Sequence, residues 1–130
     1  MARYQIILAY DGTGLFGSQR QVTARTAQSE LEKALRRLGW QGKSVLLAGR
    51  TDSGVHASGQ VAVFDLHWDH SDEVLLRALN SNLPKELAVS AAKIVPDDFH
   101  PRFDAISRRY CYQLYCQPLR DPLRDRYFWR

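Results

Sequence analysis

Long apolar runs are missing from this chain of 130 residues. The longest run, residues 6–10, is far shorter than the roughly 20 residues that cross a bilayer. No basic segment followed by an apolar stretch opens the chain, so we expect no secretory signal, no membrane anchor and a cytoplasmic location. A content of 45% hydrophobic and 25% charged residues is typical of a folded globular domain.

Cysteine is also scarce, with only Cys111 and Cys116 in the sequence. If the surrounding segment is a strand, the odd spacing places the two thiols on opposite faces, which argues against a disulfide. Two free thiols fit a reducing compartment. The two cysteines are therefore expected to form neither a disulfide nor a shared metal site.

Lysine is absent from residues 100–130, where arginine is abundant. This segment holds seven arginines and three aspartates, a balance that equals the net charge of +4 of the whole chain. Aromatic side chains are interleaved with these arginines. Such a composition is typical of a surface that binds phosphates and stacks on bases. A solvated face beside core aromatics explains it equally well.

The apolar pattern predicts an α+β domain. Alternation predicts strands, apolar spacings of three and four predict helices, and Thr26 and Ser71 are suitable N-caps. The predicted elements are a strand at 4–10, a helix from Thr26 to about Leu38, strands at 44–48 and 59–66, a helix from Ser71 to before Pro84, and strands at 87–95 and 108–117. This order predicts a ferredoxin-like (RRM-like) split βαβ domain, with an antiparallel sheet, two helices on one face and an extra C-terminal strand.

Residues 12–17 match the pattern Gly-x-Gly-x-x-Gly after a strand, as in dinucleotide-binding folds. Such a site needs a helix that begins inside the motif, so that its N-terminus meets the pyrophosphate. Helical periodicity here begins only near Ala27, so this interpretation is not favoured. The pattern Asp11-Gly-Thr also occurs in haloacid-dehalogenase phosphatases, but their nucleophilic aspartate would fall on Ala9.

Residues 49–57 are the most informative stretch, because two glycines bracket Arg50, Asp52 and His56 between two apolar strands. Asp52 caps backbone amides in a tight turn, or forms part of a metal site with His56, or is a catalytic carboxylate kept ionised by Arg50. The spacing alone does not choose between these interpretations.

The same stretch closely resembles the signature of the TruA-type tRNA pseudouridine synthases. The sequence Gly-Arg-Thr-Asp-Ser-Gly-Val-His-Ala-Ser-Gly-Gln-Val stands at residues 49–61. Three further motifs resemble the family in the same order: Tyr-Asp-Gly-Thr with Gly-x-Gln-x-Gln at 10–21, Asn-x-x-Leu-Pro at 80–84, and Phe-His-Pro-Arg-Phe with Arg-Arg-Tyr-x-Tyr at 99–112. The resemblance covers essentially the whole chain.

The resemblance implies an enzyme that isomerises uridine to pseudouridine on the 3′ side of the tRNA anticodon stem-loop. It implies no cofactor, no metal and a homodimer whose subunits have two ferredoxin-like halves, of which residues 1–130 would be the N-terminal one. Asp52 matches the catalytic aspartate and Tyr110 the tyrosine that packs against the target base. Arg50 matches the signature arginine, to which base flipping and pairing with the aspartate are assigned.

Seven further side chains are expected to contact the RNA. They are Gln19, Gln21, His56, His100, Arg102, Arg108 and Arg109. The chain departs from the family pattern at Ser18, where tryptophan is common, and at Pro101, where alanine is common. Two alternatives remain: a non-catalytic RNA-binding module or inactive half, and a purely structural partner domain. Binding of folded tRNA would separate the second alternative from the others.

Overall fold

The computed structural model describes residues 1–114 and 116–128. In chain order, its elements are β1 (Ala2–Tyr10), a short 3-10 helix (Gly12–Gly14), α1 (Ala27–Arg37), β2 (Leu46–Leu47), β3 (Ala57–Leu66), α2 (Asp72–Asn82) and β4 (Leu87–Val95). Within the described residues, the strands form one antiparallel sheet in the order β2-β3-β1-β4. This arrangement confirms the predicted α+β, ferredoxin-like split βαβ fold.

The hydrophobic core lies between the two helices and one face of the sheet. Alternate residues of β1, from Tyr4 to Tyr10, point into it. Six leucines in this core are fully buried: Leu8, Leu31, Leu35, Leu66, Leu75 and Leu79. Each contributes about 1.5–3 kcal/mol relative to an exposed side chain. Gln5 and Ala9 alternate with the core residues of β1 and therefore lie on the opposite face of the sheet.

Local signals explain why the predicted helix bounds are close to the observed ones. Thr26 and Ser29 form a capping box, in which each side chain accepts the other residue's N–H, at 3.1 and 2.9 Å. Ser71 accepts a hydrogen bond from the N–H of Val74 at 3.2 Å. Gly39 follows α1 with a φ of +96°, a conformation that costs glycine nothing.

Segment 108–117 differs from its prediction. In its described residues only Leu114 makes an isolated bridge, so the predicted extra C-terminal strand is wrong for that part of the chain. The side chains on both faces of the described segment are exposed, and no strand of the sheet pairs with it. Its aromatic residues have β propensity, but propensity alone does not form a strand without a partner.

The two cysteines are free, as predicted, and both are exposed. Neither helix within the described ranges is long and apolar enough to cross a membrane. The same ranges contain no group of three or more His, Cys, Asp or Glu side chains that would hold a metal ion.

Candidate active site

Two loops meet at one end of the sheet: residues 11–21 after β1, and residues 48–56 between β2 and β3. Ser18 joins them. Its Oγ accepts a hydrogen bond from the N–H of Thr51 at 2.8 Å, and its own N–H donates to the Thr51 carbonyl at 3.0 Å. Because Ser18 is fully buried, water does not compete for these bonds.

The sheet itself holds the beginning of the second loop. The Gln60 amide donates to the Gly49 carbonyl at 2.8 Å and accepts from the Gly49 N–H at 3.3 Å. The Tyr10 hydroxyl lies 2.8 Å from the Thr51 hydroxyl. Side chains of β1 and β3 therefore fix the backbone immediately before Asp52.

Two glycines allow the loops to approach each other this closely. A Cβ on Gly12 would lie 2.0 Å from the Val55 carbonyl oxygen, and one on Gly17 would lie 2.9 Å from that of Thr51. Gly17 also has a φ of +88°. The glycine pattern thus serves loop packing, and with α1 beginning only at Ala27 no helix N-terminus meets a pyrophosphate there.

Asp52 begins a tight turn. The Val55 N–H donates to the Asp52 carbonyl at 3.1 Å, and Gly54 has a φ of +81°, as in a type II turn. The Asp52 side chain is exposed and forms no hydrogen bond or ion pair with any described residue. The alternative of an aspartate that caps backbone amides is therefore wrong for the described structure.

The described structure shows no pairing of Arg50 with Asp52. The two side chains form no ion pair, and Arg50 is exposed without a side-chain partner among the residues that the structure describes. The physical reason is that neighbouring backbone groups, rather than the arginine, hold the turn in place. Both charges stay available to a ligand.

Two cavities flank the loop and share Arg50, Thr51 and Asp52. The small cavity has a volume of about 250 Å³, and Gln19 and Gln21 line it. The large cleft, of about 1460 Å³, extends along the open face of the sheet past Gln5 and Ala9. Four predicted site residues also line the large cleft: His56, Arg108, Arg109 and Tyr110.

Tyr110 reaches the loop from segment 108–117. A Cβ on Gly49 would lie 3.2 Å from the Tyr110 hydroxyl. Arg108 holds this segment in place, because its Nε donates to the Ala48 carbonyl at 2.9 Å and its Nη2 to the Arg102 carbonyl at 3.1 Å. Arg109 is exposed in the cleft and has no partner among the described side chains.

His100 and Arg102 do not line either cavity. The Nδ1 atom of His100 accepts from the N–H groups of Arg102 and Phe103 at 3.2 and 3.3 Å. The His100 ring stacks on Phe103 with 4.1 Å between centroids. The structure thus gives His100 a role within its own turn, which the sequence did not indicate.

His56 lines the large cleft beside Asp11, an aspartate that the sequence analysis did not select. His56 Nδ1 accepts from the Gly12 N–H at 2.9 Å, and Nε2 lies 2.7 Å from the Arg126 carbonyl oxygen, so a proton on Nε2 satisfies both contacts. The Thr13 hydroxyl and N–H donate to Asp11 and lower the pKa of its carboxyl, with smaller contributions from Arg126 and His56.

Sequence reasoning missed the residues that hold the Asp52 loop. These are Ser18, Tyr10, Thr51 and Gln60. Ser18 stood out only as a departure from a family pattern. A usable signal existed for Gln60, because a polar residue at an inward position of a strand needs a buried partner.

Comparison with known proteins gives a consistent result. A family model described as tRNA pseudouridine synthase matches residues 6–104. The chain is 42% identical over 128 residues to tRNA pseudouridine synthase A of Lactiplantibacillus plantarum, covering 96% of this chain and 49% of that protein. The protein of the same name from Paraburkholderia phytofirmans is 45% identical over 123 residues, covering 95% of this chain and 46% of that protein.

A third relative, tRNA pseudouridine synthase A of Mannheimia succiniciproducens, is 47% identical over 116 residues, which cover 89% of this chain and 44% of that protein. The chain thus spans about half the length of the curated relatives it matches. The matched range includes both loops and the turn that carries Asp52. The chain belongs to the tRNA pseudouridine synthase family.

Proposed function

We propose that this chain carries the catalytic centre for the conversion of uridine to pseudouridine in tRNA, with Asp52 as the nucleophile. The main observation in support of the proposal is the exposure of Asp52 and its lack of a side-chain partner among the described residues. Its carboxylate is exposed on the wall of a large cleft and unengaged among the described residues, while hydrogen bonds from Ser18 and Gln60 fix the loop that bears it. A rigid loop with a free carboxylate is suited to nucleophilic catalysis.

The isomerisation breaks the bond between N1 and C1′, joins C1′ to C5, and moves a proton from C5 to N1. Substrate and product have the same composition, so the reaction needs neither redox chemistry nor a second substrate. Asp52 attacks the sugar at C1′ or the ring at C6, and later leaves. In either case the carboxylate must reach the nucleotide unhindered, as its exposure allows.

The large cleft is the proposed site of the target base. Tyr110 stands on its wall beside the Asp52 loop and offers a ring for stacking and a hydroxyl for proton transfer. The base must first leave the stem-loop, at a cost of a few kcal/mol. Arg50 would fill the space that the base leaves, and its exposed side chain without a partner among the described residues supports this role.

The family resemblance extends this proposal. The RNA would be the 3′ side of the tRNA anticodon stem-loop, the enzyme would act as a cytoplasmic homodimer without a cofactor, and this chain would be the N-terminal half of the subunit. Arg109 supports an RNA partner, because it places a free positive charge in the cleft.

Tritium release from tRNA that carries 5-tritiated uridine tests the proposal, because the proton on C5 is lost. Wild type and an Asp98→Asn control should release tritium, since Asp98 is an exposed aspartate outside both cavities. Asp52→Asn should abolish release while tRNA binding in a gel shift stays nearly unchanged.

The other outcomes distinguish the proposed function from its alternatives. Undiminished release by Asp52→Asn would remove this residue as nucleophile. Binding of tRNA without release by the wild type would favour the non-catalytic alternative for this chain. Neither binding nor release would contradict the proposed function.

A further inference from the structure

The small cavity beside Asp52 is separate from the large cleft, which is the proposed site of the target base. It has a volume of about 250 Å³, below the roughly 300–1,000 Å³ of pockets that hold drug-sized ligands. One planar ring system is therefore a suitable occupant. We propose that this cavity binds the base of a nucleotide adjacent to the target uridine. The inference rests on the proposed function and names a second contact of the same substrate.

The lining chemistry supports a nucleobase. Phe16 is 57% exposed, although it is large and apolar, so its ring is available for stacking. The Gln19 side chain has no partner among the described residues, so its amide offers both a donor and an acceptor. Gln21 donates to the Phe16 carbonyl at 2.6 Å, which leaves its amide oxygen to accept. Unstacked RNA bases are recognised by this combination of aromatic face and edge hydrogen bonds.

The shared wall explains why the two cavities would bind neighbouring nucleotides. Arg50 and Asp52 line both of them. A nucleotide that Asp52 attacks has its own base in the large cleft, on one side of this wall. The next base along the strand then meets the small cavity.

The cavity also has a fixed shape. Gly17 lies in its wall with a φ of +88°, and a Cβ there would come within 2.9 Å of the Thr51 carbonyl oxygen. The buried Ser18 forms hydrogen bonds with both the N–H and the carbonyl of Thr51. The backbone wall of the cavity is therefore fixed before a base enters, which lowers the ordering cost of binding.

The test uses an RNA stem-loop with one target uridine and two derivatives, each with an abasic residue on one side of that uridine. Dissociation constants from fluorescence anisotropy are compared for the wild type and for Gln19→Ala. One of the abasic RNAs should bind the wild type about 5- to 10-fold more weakly than the intact RNA. The same replacement should weaken binding to Gln19→Ala by a clearly smaller factor, because this variant has already lost the Gln19 hydrogen bonds to the base.

Two further variants sharpen the test. Phe16→Ala should lose the same sensitivity, because it removes the stacking face. Gln41→Ala should keep full sensitivity, since Gln41 is exposed and outside both cavities.

Equal sensitivity of the wild type and Gln19→Ala to both abasic RNAs would overturn the second base site while leaving the proposed function intact. Failure of the wild type to bind the intact RNA would overturn both. A merely structural effect of Gln19→Ala is distinguishable, because it would weaken all three RNAs by the same factor.

Discussion

The hydroxyl of Ser18 accepts a hydrogen bond from the N–H of Thr51 at 2.8 Å, and the N–H of Ser18 donates to the Thr51 carbonyl at 3.0 Å. The two residues are far apart in sequence but form a reciprocal pair. Thr51 directly precedes Asp52, so this pair fixes where the proposed nucleophile begins its turn. A tryptophan at this position would have only an indole N–H and would not accept the Thr51 hydrogen bond.

Ser18→Ala should destabilise the fold by about 1–3 kcal/mol, because it leaves the partly buried Thr51 N–H without its acceptor. Urea unfolding measures the change. Ser90→Ala is the matched control, since Ser90 is exposed on β4 and its replacement should change stability by less than about 0.5 kcal/mol. Equal effects of the two replacements would show that the Ser18 hydroxyl contributes nothing to stability.

Comparison of Gly12→Ala with Gly14→Ala should show whether close packing, rather than loop flexibility, requires glycine at position 12. A Cβ on Gly12 would lie 2.0 Å from a backbone oxygen that is not free to move, whereas a Cβ on Gly14 meets only the Arg25 guanidinium at 3.8 Å. We expect Gly12→Ala to lower the free energy of unfolding by about 1–3 kcal/mol or more. Gly14→Ala should change it little, and denaturant titration of both variants checks this. A similar loss in both would show that the close approach of Gly12 to Val55 does not decide the effect.

Arg109 and Arg108 should differ in how they respond to salt. Arg109 is free within the described residues and lines the cleft, so Arg109→Ala should reduce the slope of log binding constant against log salt by about one unit. Arg108 already donates to two backbone carbonyls, so Arg108→Ala should change the slope less and lower stability instead. Titration of tRNA binding between about 50 and 200 mM salt distinguishes them. The reverse order of slopes would assign the phosphate contact to Arg108.

Asp11 should contribute stability only above its own titration range. Hydrogen bonds from Thr13 lower the folded-state pKa of its carboxyl below the ordinary value of 3.8, so the contribution is complete above that value. It is lost as pH falls through the still lower folded-state pKa. The difference in urea midpoint between wild type and Asp11→Asn should therefore be largest near neutral pH and shrink below about pH 4. Thr13→Val should reproduce part of this pattern, and a pH-independent difference would contradict it.

Local patterns in the sequence determined much of the fold. Thr26 and Ser71 are N-caps whose partners lie within one turn, and the alternation of β1 continues without interruption up to Tyr10. The pattern over 108–117 is similar but forms no strand in the described residues, because strand formation depends on a neighbour that the local sequence does not specify.

The candidate site was only partly predictable, because its geometry depends on contacts between distant residues. Asp52 and Tyr110 line one cleft. His100 instead stacks within its own turn, and Arg108 binds backbone carbonyls. The residue types indicated which side chains are able to bind RNA. They did not indicate which of these side chains already form contacts within the protein.

The sequence by itself determined the order of strands and helices and membership of the tRNA pseudouridine synthase family, because periodicity, capping residues and contiguous motifs are local properties of the chain. The tertiary structure decided that Gln19 and Gln21 share a cavity with Asp52, and that the carboxylate is free of Arg50. Both outcomes depend on packing two loops together through the Ser18–Thr51 pair and Gly12, and neither contact is between neighbours in the chain.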